Sequence, residues 1–314
     1  MRNIHAISLN TAIDIRIRIP QFTLGAIIRS EGYREYLAGK AVNNSRAIAS
    51  LGGEVGLYCF SGANEVHSFS SISPQIKAHV IACEGVTRKN ITLVNKNAEL
   101  ICHVQNQGYH VTESNLNELE KALYPSINEG DVIVVSGSIP IGTPPDYLDK
   151  LVRLISERKG IILLDVDPPL LSKIDCKNVR LVKPNLEELS RLAGRNLVNI
   201  DEIVTTASNL IKSNIVVVSL GQNGALWIDR EKRHYVQAKT NLHEQGDLDV
   251  IGCGDAMVGA FALGIAQNKT SLEILKMGIC SGYAKMFVEG PGIISLDHYH
   301  RASDFVEFGN EQQF

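Results

Sequence analysis

The stretch Asp249-Val-Ile-Gly-Cys-Gly-Asp255 carries the most direct chemical signal in the chain. It runs into AMVGAFALGIAQ, whose apolar residues keep helical spacing to Asn268, so a glycine-rich turn opens a helix. The first N–H groups of a helix have no acceptor within it and lie at the positive end of its dipole. Such a turn can hold a phosphoryl group in transfer, with Gly252, Cys253 and Gly254 presenting backbone N–H groups and the glycines allowing close approach. A carboxylate beside a phosphate is repelled, so Asp255 is out of place in a plain anion site. It is in place as a base that takes the proton of an attacking hydroxyl. The competing reading is an N-cap aspartate after an ordinary glycine loop.

Two further stretches follow apolar strands. In Lys183-Pro-Asn185-Leu-Glu-Glu188-Leu, Asn185 and Glu188 stand three apart, on one helical face. Such a pair can position water around Mg²⁺, which keeps several waters and takes few protein ligands. A helix start with surface carboxylates is the alternative. Ser219-Leu-Gly221-Gln-Asn-Gly224-Ala225 ends the strand IVVVS, where backbone and hydroxyl can hold nucleotide phosphates. No GxxxxGK(S/T) is present, and no GxGxxG opens a helix after a first strand. P-loop and dinucleotide-fold readings lose their main support.

The elements that must position these groups show in the pattern. From residue 130 onward DVIVV, IILLD, VRLV and IVVVSL alternate with helical segments near 145–158, 186–193 and 201–213, which predicts a parallel sheet covered by helices. The first third differs. Ile15, Ile17 and Ile19 alternate with Arg16 and Arg18, and ITLV (91–94) and ELICHV (99–104) flank a polar NKNA turn; these read as half-exposed antiparallel strands, with Arg16 and Arg18 on the wet face. A helix from Lys40 to Gly52-Gly53 and the strand EVGLYCF lie between them. His103 and His110 read as structural or solvent-facing, and Trp227 as a packing residue.

Composition bounds the function. The 314 residues are 44% hydrophobic and 21% charged, enough for a sizeable core, and the net charge of −3 gives no general attraction for nucleic acid or an anionic membrane. No apolar run suits a signal sequence or a membrane span. Six scattered cysteines without CxxC or zinc-like spacing read as reduced thiols of a cytoplasmic protein.

Taken in order, SLNTAID (8–14), AGKAVNNSRAIASLGG (38–53), EGVTRKN (84–90), SGSIP (136–140), KPNLEEL, VVVSLGQNGA and DVIGCGD resemble the PfkB branch of the ribokinase-like carbohydrate kinases, specifically its hexose-phosphate kinases. The match spans residues 4–296. The resemblance implies an α/β three-layer sandwich with a mainly parallel central sheet and a small β-sheet lid. The body is expected at 1–12, 37–88 and 109–314, and the discontinuous lid at 13–36 and 89–108.

The resemblance also implies roles for matching positions. Asp255 matches the catalytic base, and Gly252, Cys253 and Gly254 the anion hole. Asp14 matches the acidic group that grips sugar hydroxyls; Gly39, Lys40 and Asn43 match the sugar-binding segment; Arg88, Asn90 and Ser138 match positions near the substrate's own phosphate. Lys183, Asn185 and Glu188 match the ATP and Mg²⁺ region, and Ser219, Gly221 and Gly224 the nucleotide turn. Arg88 and Lys40 favour a phosphorylated sugar, because a neutral one would strand those charges in a closing site. Departures lie on the acceptor side: Ala41 replaces a glycine, Asn44-Ser45 replace Val-Ala, Thr11 stands where proline is usual, and HVQNQGYH (103–110) lacks a Glu-Pro-Gly run.

The expected function is therefore ATP- and Mg²⁺-dependent phosphorylation of a hydroxymethyl group on a ketohexose monophosphate, with fructose 1-phosphate as first acceptor. Tagatose-6-phosphate kinase and 6-phosphofructokinase activities are same-class alternatives, and a weakly catalytic phosphosugar sensor is a different-class one. Asp249 leaves room for a monovalent-cation loop. Exposed lid strands predict a homodimer through the lid.

Overall fold

The computed structural model describes residues 2–95, 100–242 and 248–314. Residues 96–99, which include most of the expected NKNA turn and Glu99 of the following strand, lie outside them.

Strands buried on both faces need apolar residues at every position, and the central strands supply them. In Ile4–Ser8 and Val132–Ser136 successive side chains enter opposite cores: Ile4, Ala6, Val132 and Val134 pack into one, Ile7, Ile133 and Val135 into the other. Among the described residues the central sheet runs in the order Val306–Phe308, His234–Thr240, Ala225–Asp229, Ile215–Ser219, Val179–Val182, Ile161–Asp165, Val132–Ser136, Ile4–Ser8, Val55–Gly62 and Ile76–Cys83, and Gln312–Gln313 also pairs with His234–Thr240. Every pairing from Ile76–Cys83 to Ile215–Ser219 is parallel; the strands beyond are antiparallel. Helices Glu113–Leu123, Tyr147–Glu157 and Ile200–Leu210 cover one face, and Lys40–Ser50, Cys253–Ala266 and Ser271–Lys285 the other. The architecture is an α/β three-layer sandwich, as expected.

Lys40–Ser50 and Cys253–Ala266 touch backbone to backbone. A Cβ on Gly259 would lie 2.6 Å from the carbonyl oxygen of Asn44 and 2.8 Å from Cβ of Ala47, so only glycine permits this approach. The approach brings Asn43 and Asn44 against Asp255.

A second sheet has the order Gly32–Ala38, Ala12–Arg18, Arg88–Val94 and Leu100–Val104. Two of its three pairings are antiparallel as expected, but Ala12–Arg18 is an inner strand that runs parallel to Arg88–Val94. The chain crosses the body between these two strands, and such a crossover sets them parallel. The expectation that Arg16 is wet is also corrected. Arg16 is only 8% exposed, since its face of the strand turns toward the body, where Nη1 lies 2.9 Å from Oδ2 of Asp249 and Nε 3.4 Å from Oε1 of Glu289. Trp227 packs in the core edge-on to Phe261, as expected.

Candidate active site

Gly252 caps the helix Cys253–Ala266 with φ of 85°, a left-handed conformation that suits glycine. The first N–H groups of a helix have no acceptor within it; here that of Cys253 donates to Val250 O at 3.4 Å, and Cys253 and Gly254 line a cleft. Asp255 is buried in that first turn. Asn43 Nδ2 donates to its Oδ2 at 2.7 Å, and Asn44 Nδ2 donates to its carbonyl oxygen at 2.8 Å. Burial, then the nearby Asp165 carboxylate, push the Asp255 carboxyl up to about 6, against Lys40, Asn43 and Lys183. A carboxyl so placed is ionised at neutral pH yet basic enough to take a proton. Burial pushes the Cys253 thiol up to about 12, which leaves that residue its backbone as its contribution.

Beside Asp255 lies a network of lysines and carboxylates at the carboxyl ends of the strands, where open parallel sheets bind ligands. Lys40 Nζ is 3.3 Å from Asp165, 3.7 Å from Asp167 and 3.8 Å from Glu188; the buried Lys183 Nζ is 3.7 Å from Asp165. Burial alone would push Asp165 up, but Lys183 and Lys40 hold it below the usual aspartate range. Burial likewise opposes the charge on Lys40, and Asp165, Asp255, Glu188 and Asp167 together outweigh it. Lys40 thus sits among carboxylates, one residue after Gly39, which packs against Asn10 and Thr11, the residues that Arg88 bonds. Asn185 is the N-cap of Leu186–Ala193 and so precedes the helical face on which it was expected. Its Oδ1 accepts from the Glu188 N–H at 2.7 Å while Glu188 Oε2 accepts from the Asn185 N–H at 2.8 Å. Glu188 keeps Oε1 toward Lys40.

On the acceptor side, Asp14 Oδ1 accepts from Asn90 Nδ2 at 2.8 Å, and burial raises the Asp14 carboxyl against Asn90, His103, Arg88 and Arg46. Arg88 donates from Nε to Thr11 O at 3.3 Å and from Nη2 to Asn10 O at 3.1 Å; Ser138 Oγ accepts from Asn10 Nδ2 at 3.0 Å. Gly39 has φ of 129°, and a Cβ there would lie 3.1 Å from Ser8 Oγ. The buried oxygens Asn10 Oδ1, Asn43 Oδ1 and Asn90 Oδ1 have no partner among the described residues. Buried acceptors left open in this way fit a ligand rich in hydroxyl donors.

The departures of this segment have structural reasons. The Ala41 methyl is wholly buried in the core. Thr11 donates its N–H to Tyr109 Oη at 2.8 Å, a bond that proline cannot make, and Tyr109 Oη lies 3.0 Å from Leu9 O. The unusual residues at 11 and 109 are therefore partners.

A cavity of about 530 Å³ opens on the other side of Gly254. Lys183, Asn185, Ser219, Gly221, Gly224, Cys253 and Gly254 form its polar rim, and Leu242, Val250, Met257, Ile279 and Met286 give it an apolar floor. Gly224 has φ of 80°, and its absent Cβ would fall 1.9 Å from Ala238 O, so the turn holds only glycine there. The Ser219 N–H donates to Pro184 O at 3.1 Å, which joins this turn to the Lys183 segment. The cavity reaches Cys253 and Gly254, and the adjacent Asp255 is bonded to Asn43 of the segment that carries the open polar acceptors.

Sequence reasoning missed Asp165, Asp167 and Asn44. Asp165 left a signal: it closes the apolar run IILLD, and a charge ending a buried strand calls for a partner.

The sequence pattern described as pfkB family carbohydrate kinase matches residues 7–297. The chain is 30% identical to ATP-dependent 6-phosphofructokinase isozyme 2 of Escherichia coli (95% of this chain, 96% of that one). It is 26% identical to 1-phosphofructokinase of Bacillus subtilis (92% and 94%) and 27% identical to tagatose-6-phosphate kinase of Staphylococcus epidermidis (96% and 97%). Phosphofructokinase-2 from Escherichia coli in complex with potassium superposes with a TM-score of 0.86 at 27% identity, over 97% of this chain and 99% of that one.

Proposed function

The chain belongs to the pfkB family of carbohydrate kinases, and from that premise we propose that it transfers the γ-phosphoryl group of ATP to a hydroxymethyl group of a ketohexose monophosphate, with fructose 1-phosphate as first acceptor. The observation that carries this reading is the placement of Asp255, a buried carboxyl raised toward neutrality, bonded to Asn43 and next to Gly254 of the cavity lining. Asp255 takes the proton of the acceptor hydroxyl, and the N–H groups of the Gly252–Gly254 turn hold the phosphoryl oxygens as charge spreads over them. Lys183 helps to neutralise the triphosphate. Asp14 grips the sugar hydroxyls, Gly39, Lys40 and Asn43 form the sugar-binding segment, and Arg88, Asn90 and Ser138 lie near the acceptor's own phosphate. Ser219, Gly221 and Gly224 hold the nucleotide phosphates, with the apolar floor under the base.

Among the described residues no group of three or more His, Cys, Asp or Glu side chains is placed to hold a metal ion directly. Glu188 Oε1 and Asn185, half engaged by their own capping bonds, fit Mg²⁺ held through water, which when bound supplies neutralisation of the triphosphate. The small sheet closes over the acceptor and excludes water, limiting hydrolysis of ATP. We place the enzyme in the cytoplasm, in keeping with its free cysteines and with the absence, among the described residues, of any helix long and apolar enough to cross a membrane. We also propose a homodimer through the small sheet, whose neighbouring loop exposes Leu24 and Ile27.

The test is ADP formation with Mg²⁺-ATP and a panel of fructose 1-phosphate, fructose 6-phosphate, tagatose 6-phosphate, fructose and ribose. The highest kcat/KM is expected for fructose 1-phosphate. A preference for a 6-phosphate moves the acceptor to the same-class alternatives. Tight phosphosugar binding without turnover overturns the kinase reading in favour of a sensor.

A further inference from the structure

Lys285 ends the helix Ser271–Lys285 and is 0% exposed. An interior ammonium is costly unless oxygens surround it. Here Nζ lies 3.0 Å from Val288 O, 3.3 Å from Asp249 O and 3.6 Å from Asp249 Oδ2. Asp249 is itself fully engaged: Oδ2 also takes Arg16 Nη1 at 2.9 Å and the Gly290 N–H at 3.0 Å, and Oδ1 takes the Ile251 N–H at 3.2 Å. Arg16 makes a second pair with Glu289. Glu289 also pairs with Arg34 Nε at 3.5 Å, so three cations face two carboxylates and the cluster has no spare negative charge.

The cluster stands directly behind the phosphoryl-holding turn. Asp249 begins the stretch that leads to Gly252 and Asp255, and a Cβ on Gly252 would lie 3.6 Å from Cε of Lys285. Two backbone carbonyls and a carboxylate converging on one point are donors suited to a potassium ion, and one solved structure similar to this chain is a potassium complex. In this chain those oxygens already hold an ammonium. A further cation would bring an unbalanced charge into a buried place, so these residues do not fit one.

We infer that Lys285 acts as a tethered univalent cation that positions the Gly252–Asp255 turn, and that the protein therefore needs no added potassium. The inference rests on the kinase reading only for its kinetic arm. A covalently attached charge has no binding equilibrium, so the turn keeps its shape at any potassium concentration.

The experiment uses the full chain in tetramethylammonium chloride, with KCl replacing that salt at constant ionic strength. Thermal midpoint and ADP formation are read in parallel for the wild type, Lys285→Met and Lys285→Ala. The wild type is expected to be flat in both readouts. The variants are expected to lose turnover by about tenfold or more, a typical coupling magnitude, and to regain part of it, with a higher midpoint, on addition of K⁺ or NH₄⁺. Activation or stabilisation of the wild type by K⁺ overturns the inference, as does a variant indifferent to both lysine loss and cation. If neither variant folds, the wild-type arm alone decides. If no acceptor supports turnover, the thermal arm still decides, which separates failure of this inference from failure of the kinase reading.

Discussion

Asn43 Nδ2 donates to Asp255 Oδ2 across 2.7 Å, a bond that runs from the helix Lys40–Ser50 to the helix Cys253–Ala266. It fixes the plane of the carboxyl and favours its ionised form. The proposed base and the proposed sugar-binding segment are thereby joined.

The pH dependence of turnover follows from that carboxyl. Asp255 accepts a proton only when ionised, so log kcat/KM should fall as pH drops through about 6. Asn43→Ala removes a bond to the ionised form and should move this acid limb to higher pH, with kcat/KM lower throughout. Initial-rate profiles of both proteins check this. An acid limb that stays in place in the variant contradicts the assignment.

Asp165 should matter for stability as well as rate. Asp165→Asn leaves the buried Lys183 and the half-buried Lys40 without their nearest shared carboxylate, a loss of about 3 kcal/mol by urea unfolding at neutral pH. The folded Asp165 titrates below its unfolded value, so it stabilises the fold above the ordinary aspartate range and loses that contribution as pH falls through its depressed value. The difference between wild type and variant should therefore shrink in acid. A constant difference at all pH values contradicts the pairing.

Tyr109→Phe removes the acceptor of the buried Thr11 N–H and should cost about 1–3 kcal/mol. Thr11→Pro removes the donor from the same bond. In a double-mutant cycle the two losses should sum to more than the double variant shows; strict additivity would mean that the two residues are not partners.

Leu24 and Ile27 are 91% and 97% exposed beside the small sheet. If they lie in a dimer interface, Leu24→Asp with Ile27→Asp should convert the dimer to monomer in light scattering without lowering the thermal midpoint of the monomer. A wild type that is monomeric at high concentration removes the dimer proposal.

Much of this architecture was legible because buried parallel strands need continuous apolar runs: IILLD, VRLV and IVVVS stand where the runs placed them. The glycine turn before Asp255 was legible for a local reason, since two glycines and an apolar helix define it in sequence. Arg16 was misread because alternation along Ala12–Arg18 tells which residues share a face, while what covers that face is decided by Asp249 and Glu289, more than 230 residues away. Asn44, Tyr109 and Lys285 were hidden for the same reason, because each acts through a contact between segments distant in the chain.

Replacement of Asp255 by asparagine tests the central claim most directly. The amide cannot accept the hydroxyl proton, so turnover with the best acceptor should fall by about 10²–10⁴-fold while ATP still binds. Because burial holds the carboxyl up to about 6, the ionised group costs the fold stability above its ordinary range, and its removal should raise stability at neutral pH by as much as about 3 kcal/mol. Loss of turnover together with a higher thermal midpoint is the predicted result; turnover close to that of the wild type would show that Asp255 is not the base.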